Sequence, residues 1–232
     1  MTIAFVSSTA KQGARNGVTT DAIDTTGANL IVIHIAWYSV TSPSISDNQG
    51  NTWTALTTHN VASDCGSKLY YCLNPTTSAS HTFTSGPANV YGGLVVAAFS
   101  GVKVSSAFDV QNGANSSSAS ALSTGSVTPS EDGELVIFGA GKGGNTTTVN
   151  ATDVGSITGS FAGITATTYA NGLGYEIQTT ATARNPSLSG SGTSSMAASI
   201  ATFKAEPAAA GGQPYIKRAG GVPGMAINRG VW

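Results

Sequence analysis

The sequence predicts an all-β fold: an antiparallel β-sandwich, jelly-roll-like and divisible into two Ig-like halves, followed by an extended C-terminal arm. Three observations carry this expectation. Short runs rich in Val, Ile, Thr and aromatic residues recur along the chain, separated by Gly, Asn, Pro and Ser clusters. No stretch shows the three-to-four-residue apolar spacing of an amphipathic helix. Charged residues make up only 9% of the 232 residues, against roughly 25% in ordinary soluble domains. Such a surface is covered by Ser, Thr, Asn and Gly, which suits strands and turns.

The strands read as follows. LIVIHIAWY (30–38) is a nearly unbroken apolar run, as expected of a central strand covered on both faces. NTWTALTT (51–58) alternates, and SDNQGN (46–51) before it has the chemistry of a hairpin turn. KLYYCLN (68–74), HTFTS (81–85) and GGLVVAAFSGV (92–102) complete a first set. GELVIFGAG (133–141), TTTVNA (146–151), GITATTYA (163–170), LGYEIQTT (173–180) and SMAASIATFK (195–204) form a second. NSSSASALS (115–123) is too serine-rich for a helix and reads as a loop or edge strand.

The two sets echo one another. TTDAIDTTGANLIVIHI (19–35) resembles STGSVTPSEDGELVIFG (123–139), and LYYCLNPTTSASHTFTSG (69–86) parallels GYEIQTTATARNPSLSG (174–190). Residues 1–205 are therefore expected to form the sandwich, with a weak repeat of 1–104 in 105–205. One sandwich built from both halves is preferred to two in tandem, because no linker parts them. Patterning stops at AEPAAAGGQP (205–214), which leaves 206–232 as the arm.

Net charge is −1, so no global field recruits nucleic acid or an anionic membrane. Residues 207–232 carry Lys217, Arg218 and Arg229 and no acid, a charge of +3, leaving −4 for the rest. No segment approaches the ~18 apolar residues of a membrane span. The N-terminal MTIAFVSSTAKQ lacks the basic and apolar regions of a signal peptide. Cys65 and Cys72 would lie about 23 Å apart on one extended strand, too far for a bridge unless the chain turns at 66–68.

Motifs that carry chemistry are few. GAGKGG (139–144) matches a phosphate-loop pattern, but β-like residues follow where the helix should begin, so a glycine-rich hairpin loop is expected. His34, His59 and His81 are scattered, without metal-ligand spacing. Glu131, Asp132 and Glu134 crowd one turn and are expected to point into water, unlike a glycosidase pair across a cleft. Asp47–Asn51 offers oxygen ligands for Ca²⁺ but reads better as a plain turn. Trp37, Trp53, Tyr70, Tyr71, Tyr169 and Tyr175 are potential sugar platforms, although most suit a core. The chain is expected to be no enzyme and to need no cofactor.

TTGANLIVIHI, SDNQGNTWTAL, KLYYCLNP, HTFTS, LVVAAFSGV and VTPSEDGELVIFGAG together resemble bacteriophage virion β-sandwich proteins. The resemblance implies a head decoration (cement) protein or a tail or fibre module, in the virion after assembly in the host cytoplasm. It implies no catalytic residue. The expected partners are other virion proteins, major capsid or tail subunits, and further copies of the chain. Tyr215, Ile216, Lys217, Arg218, Met225, Ile227, Arg229 and Trp232 of the arm are the expected partner-binding residues, because extended segments bind through backbone pairing and anchored side chains. The alternative is a tail or fibre adhesin that binds host-surface glycan.

Overall fold

The computed structural model describes residues 2–14, 17–38, 43–86, 91–143, 150–152, 164–166 and 169–207. Within them the fold is all-β, and every strand pairing is antiparallel. The strands are β1 (Ala4–Ala14), β2 (Val18–Thr19), β3 (Leu30–Tyr38), β4 (Ile45–Asp47), β5 (Thr54–Ala55), β6 (His59–Val61), β7 (Cys65–Leu73), β8 (Phe83–Ser85) and β9 (Tyr91–Ser100). Then follow β10 (Phe108–Ser123), β11 (Leu135–Gly143), β12 (Asn150–Thr152), β13 (Ile164–Ala166), β14 (Tyr169–Ile177) and β15 (Ser187–Phe203).

They form a first six-stranded sheet in the order β1-β9-β3-β7-β5, with β6 also on β7. A second has the order β10-β15-β11-β14-β13, with β12 on β15, and a three-stranded layer runs β2-β8-β4. The first sheet draws all its strands from residues before 101 and the second from residues after 107. Their inner faces share one core cluster, including Leu30, Val32, Leu69 and Phe99 from the first and Leu135, Ile137, Tyr175 and Phe203 from the second.

β3 shows why the apolar run is unbroken. Its even positions, Leu30 and Val32, enter that shared core. Its odd positions, Ile31, Ile33, Ile35 and Trp37, pack with Val18 and Phe83 of the outer layer. A strand buried on both faces cannot alternate with polar residues. Each fully buried Ile or Leu contributes roughly 1.5–3 kcal/mol, which makes β3 a main stabilising element of its half.

The sequence echo is a structural repeat. β1, β9, β3 and β7 occupy the same order as β10, β15, β11 and β14. The outer layer repeats too. The pairs Val18↔Ser85 and Thr19↔Thr84 match Leu122↔Leu188 and Ser123↔Ser187, while β4 on β8 matches β12 on the start of β15. In the second half, continuous strands replace the separate β1/β2 and β8/β9. Backbone hydrogen bonds follow suit: Asn74 N to Asn29 O at 2.8 Å matches Gln178 N to Glu134 O at 2.9 Å, and Thr20 N to Phe83 O matches Thr124 N to Pro186 O.

Aromatic packing obeys the same relation. Phe5 meets Phe99 edge-on at 6.0 Å, and Phe108 meets Phe203 edge-on at 6.1 Å. Phe99 meets Tyr175 at 5.0 Å and Phe203 meets Tyr71 at 5.2 Å, so each tyrosine comes from the opposite half. Each tyrosine also stacks on the remaining phenylalanine, Phe5 at 5.7 Å or Phe108 at 6.0 Å. Two triads that exchange one ring each are the signature of a two-fold interface. The halves therefore meet about a pseudo-dyad.

Several expectations are corrected. SDNQGN is not a hairpin turn: β4 pairs β8 in the outer layer while β5 pairs β7 in the inner sheet, so the segment is a corner between layers. GAGKG is the end of buried strand β11 rather than a loop; Gly144 lies outside the described residues. β1 and the first part of β10, before residue 115, carry no strand signal, because edge strands with half-exposed Ser, Asn and Ala lack an apolar run; 115–123 is the edge strand that its serines allowed.

Candidate functional site

The arm residues Tyr215, Ile216, Lys217, Arg218, Met225, Ile227, Arg229 and Trp232 lie outside the described residues. Their point of departure is described. Val102 and Ala205, the equivalent ends of the two halves, form a β-bridge with each other. Lys103 N donates to Lys204 O at 2.9 Å, Glu206 N to Gly101 O at 2.8 Å, and Val104 N to the Glu206 carboxylate at 3.1 Å. The chain is thus clamped to Glu206 before it leaves at Pro207. Beside the exit lies a cleft of about 430 Å³ whose walls include Thr2, Glu131, Asp132, Gln178, Glu206 and Pro207.

The structure does assemble one constellation with the order of a nucleophilic triad. His34 Nδ1 lies 2.6 Å from Asn171 Oδ1 and His34 Nε2 lies 2.7 Å from Ser67 Oγ. Asn171 donates its Nδ2 to Gly93 O at 2.6 Å, so its oxygen faces the histidine and Nδ1 carries the proton. Ser67 then donates to Nε2 and accepts from Ser199 Oγ at 2.9 Å. The directions are fixed from end to end.

Its location excludes substrate chemistry in this conformation. His34 and Ser67 are fully buried, Asn171 is 1% exposed and Ser199 3%. Burial pushes the His34 pKa down to about 4, with the Asn171 hydrogen bond opposing. The neutral ring is a clasp between the sheets: Ser67 belongs to β7, Asn171 to β14, and these two positions are equivalents in the repeat. Across from His34, at its own equivalent position, stands Gly139, where an added Cβ would lie 2.5 Å from the imidazole. Facing side chains on a dyad compete for one space, and here one half supplies the ring and the other a glycine.

The carboxylates are structural where the structure describes their contacts. Glu134, expected in water, is fully buried. Its Oε1 accepts from Ser130 N at 3.1 Å and Glu131 N at 3.0 Å, holding the turn before β11. Burial raises its pKa, and the neighbouring Asp109 charge adds to that. Asp109 accepts from Ser130 N and Oγ and lies 3.3 Å from Lys204; burial alone would raise its pKa, but these partners outweigh it and hold it low.

Asp47 accepts from Gln49 N at 2.8 Å, Asn51 N at 3.2 Å and Trp53 Nε1 at 3.0 Å. Oxygens committed to N–H donors are turned toward the protein, which favours the plain-turn reading over calcium. Among the described residues no group of three or more His, Cys, Asp or Glu is placed to hold a metal ion.

The remaining candidates resolve into packing. Trp37 and Tyr70 lie in the outer cluster of the first half, and Tyr70 donates its hydroxyl to Pro43 O at 2.9 Å. Tyr71 and Tyr175 belong to the two aromatic triads, and the Tyr169 side chain is outside the described set. Tyr70 and Tyr71 do point to opposite faces. His59 packs its ring on Gly113, and His81 shares a hydrogen bond with Thr25 at 2.9 Å. Cys65 and Cys72 are buried toward the two ends of β7 and form no disulfide. Lys142 is buried, its Nζ donating to Ser194 Oγ at 2.6 Å. No helix among the described residues is long and apolar enough to cross a membrane. No protein-family model, curated protein or solved structure matches the chain.

Proposed function

We propose that this protein is a bacteriophage virion structural component, a capsid decoration protein whose folded body is a scaffold and whose C-terminal arm attaches it to the particle. The observation that carries the reading is the contrast between body and arm. In the described body His34 and His81 are buried, His59 packs on Gly113 and the serine–histidine network lies between the sheets, whereas residues 207–232 bring three cations, no acid, and Tyr215, Met225, Ile227 and Trp232. Such residues are the types from which interface anchors are drawn, and a segment with this many apolar and aromatic groups departs from the composition of solvated tails. The charge-poor, all-β body and the resemblance of its strand sequence to virion proteins point the same way.

The test is co-sedimentation of the purified chain with phage particles that lack it. Binding is expected, with a large loss of occupancy for Trp232→Ala and for Lys217→Glu/Arg218→Glu. Equal occupancy of these variants and the parent contradicts the arm as attachment device. The fibre-adhesin alternative predicts competable signal on a glycan array. Trp37, Tyr70 and Tyr175 are core residues, so these three candidates offer that alternative no platform.

A further inference from the structure

The arrangement of His34 and Gly139 makes the contact between the halves selective. The two positions face each other across the pseudo-dyad, and a Cβ at Gly139 would already lie 2.5 Å from the imidazole. Two first halves brought together would force two imidazoles into that space. Two second halves would leave it empty. Overpacking and a cavity are both destabilising, so a first half accepts only a second half. Nothing in that fit depends on which chain the second half belongs to.

The connector between the halves has the features of a hinge. Its backbone is held at Val104, whose N–H donates to the Glu206 carboxylate at 3.1 Å and whose carbonyl accepts from Asn74 Nδ2 at 2.7 Å. It is held again at Ala107, whose carbonyl accepts from Lys204 N at 2.8 Å. Ser105 and Ser106 lie exposed between these points. Ser106 has a φ of 51°, a left-handed conformation that costs energy for a residue with a Cβ. Val104 is 55% exposed, more than any other large apolar side chain among the described residues. Opened out, residues 104–107 span at most about 11 Å, enough to pass between two bodies that touch at this loop.

We propose that two copies of this chain exchange halves through this hinge, each first half closing on the second half of the other copy. The product is a closed two-fold dimer, and short connectors under strain favour such exchange. Every contact between halves is kept. The Phe99–Tyr175 and Phe203–Tyr71 ring pairs, the His34–Asn171 bond and the Val102–Ala205 bridge form between copies instead of within one. The gains are relief at Ser106 and cover for Val104. The opposing factor is the millimolar effective concentration of a half tethered to its own chain. Exchange therefore belongs to folding at high concentration, where copies meet before each has closed on itself.

Two full-length variants test the exchange. Within one chain His34→Gly leaves the shared space empty and Gly139→His overfills it, but an exchanged pair of the two places one ring in each interface. Refolded together from urea in equal amounts, they are expected to give a 1:1 heterodimer by native mass spectrometry. It should melt within about 4 °C of the parent, well above either variant alone. A variant that fails to fold alone still reports, because the heterodimer is what is read. His34→Gly refolded with the parent fills no additional interface and is expected to give far less heterodimer. Light and heavy parent chains refolded together at high concentration should yield a mixed dimer that does not separate on dilution. Absence of the complementary heterodimer or of the mixed parent dimer overturns the exchange. Equal yield from the His34→Gly and parent mixture overturns the selective role of His34. The proposal does not rest on the virion reading: this test uses the protein alone, whereas that reading is decided on particles.

Discussion

His34 is the residue on which the two halves most depend. Its ring fills a space that the pseudo-dyad offers to two positions, 34 and 139, and its partners Ser67 and Asn171 are themselves equivalents. His34→Gly is expected to destabilise by roughly 3 kcal/mol, from a cavity plus stranded polar groups. Gly139→His overfills the same space and is expected to cost at least about 3 kcal/mol. The double exchange His34→Gly/Gly139→His places the ring on the other half, between the same two partners, and should recover to within about 1 kcal/mol of the parent. Urea unfolding of the four proteins gives the coupling; simple additivity of the two losses contradicts the dyad.

The same residue sets a pH dependence. Its pKa is lowered from 6.5 to about 4 by burial, so between those values the unfolded chain binds a proton that the folded chain refuses. Stability is therefore full above pH 6.5 and falls on acidification toward pH 4, by about 3 kcal/mol from this group. His59 and His81 are shifted in the same direction by burial, and Glu134 in a way that favours the folded state at low pH. His34→Gln, which does not titrate, should flatten the acid limb without abolishing it. An unchanged slope between pH 6.5 and 4 contradicts the assignment. LIVIHIAWY reads as holding a hydrogen-bonded core or near-core histidine, but not which groups bond it; its partners stand far off in sequence and only the strand register brings them together.

At the scale of elements, the sequence spoke clearly where both faces of a strand are buried and faintly where one is. β3 and β11 were readable because a continuous apolar run has few other uses. β1 was not, and β10 only in its 115–123 part, since an edge strand shows neither run nor strict alternation. The corner at 47–53 was misread as a hairpin because Asp, Asn and Gly mark a turn without saying which sheet receives the chain. Its organiser is Asp47, which holds two backbone amides and the Trp53 indole, with Trp53 edge-on to Phe83. Asp47→Ala is expected to lower stability by roughly 2–3 kcal/mol. Thermal melts of the parent in calcium and in a chelator should coincide; a calcium-dependent rise in melting temperature contradicts the role given to this loop. Glu134 was misread for a similar reason: a carboxylate in SEDGE looks solvated until the turn folds its own amides onto it.

At the scale of the molecule, the described body is two equivalent halves closed on each other through one core. The repeat was visible as a sequence echo, yet sequence could not show that the equivalent ends at Val102 and Ala205 would pair or that each half would lend a tyrosine to the other. In the described body, the polar groups that resemble chemistry are turned inward, as clasps and turn supports. The proposed function gives attachment to residues 208–232 and stability to what precedes them. The decisive measurement compares the full chain with one ending at Pro207, for melting temperature and for occupancy on particles lacking the protein. The account predicts an unchanged melting transition and lost occupancy. A truncated chain that decorates particles as fully as the parent contradicts it.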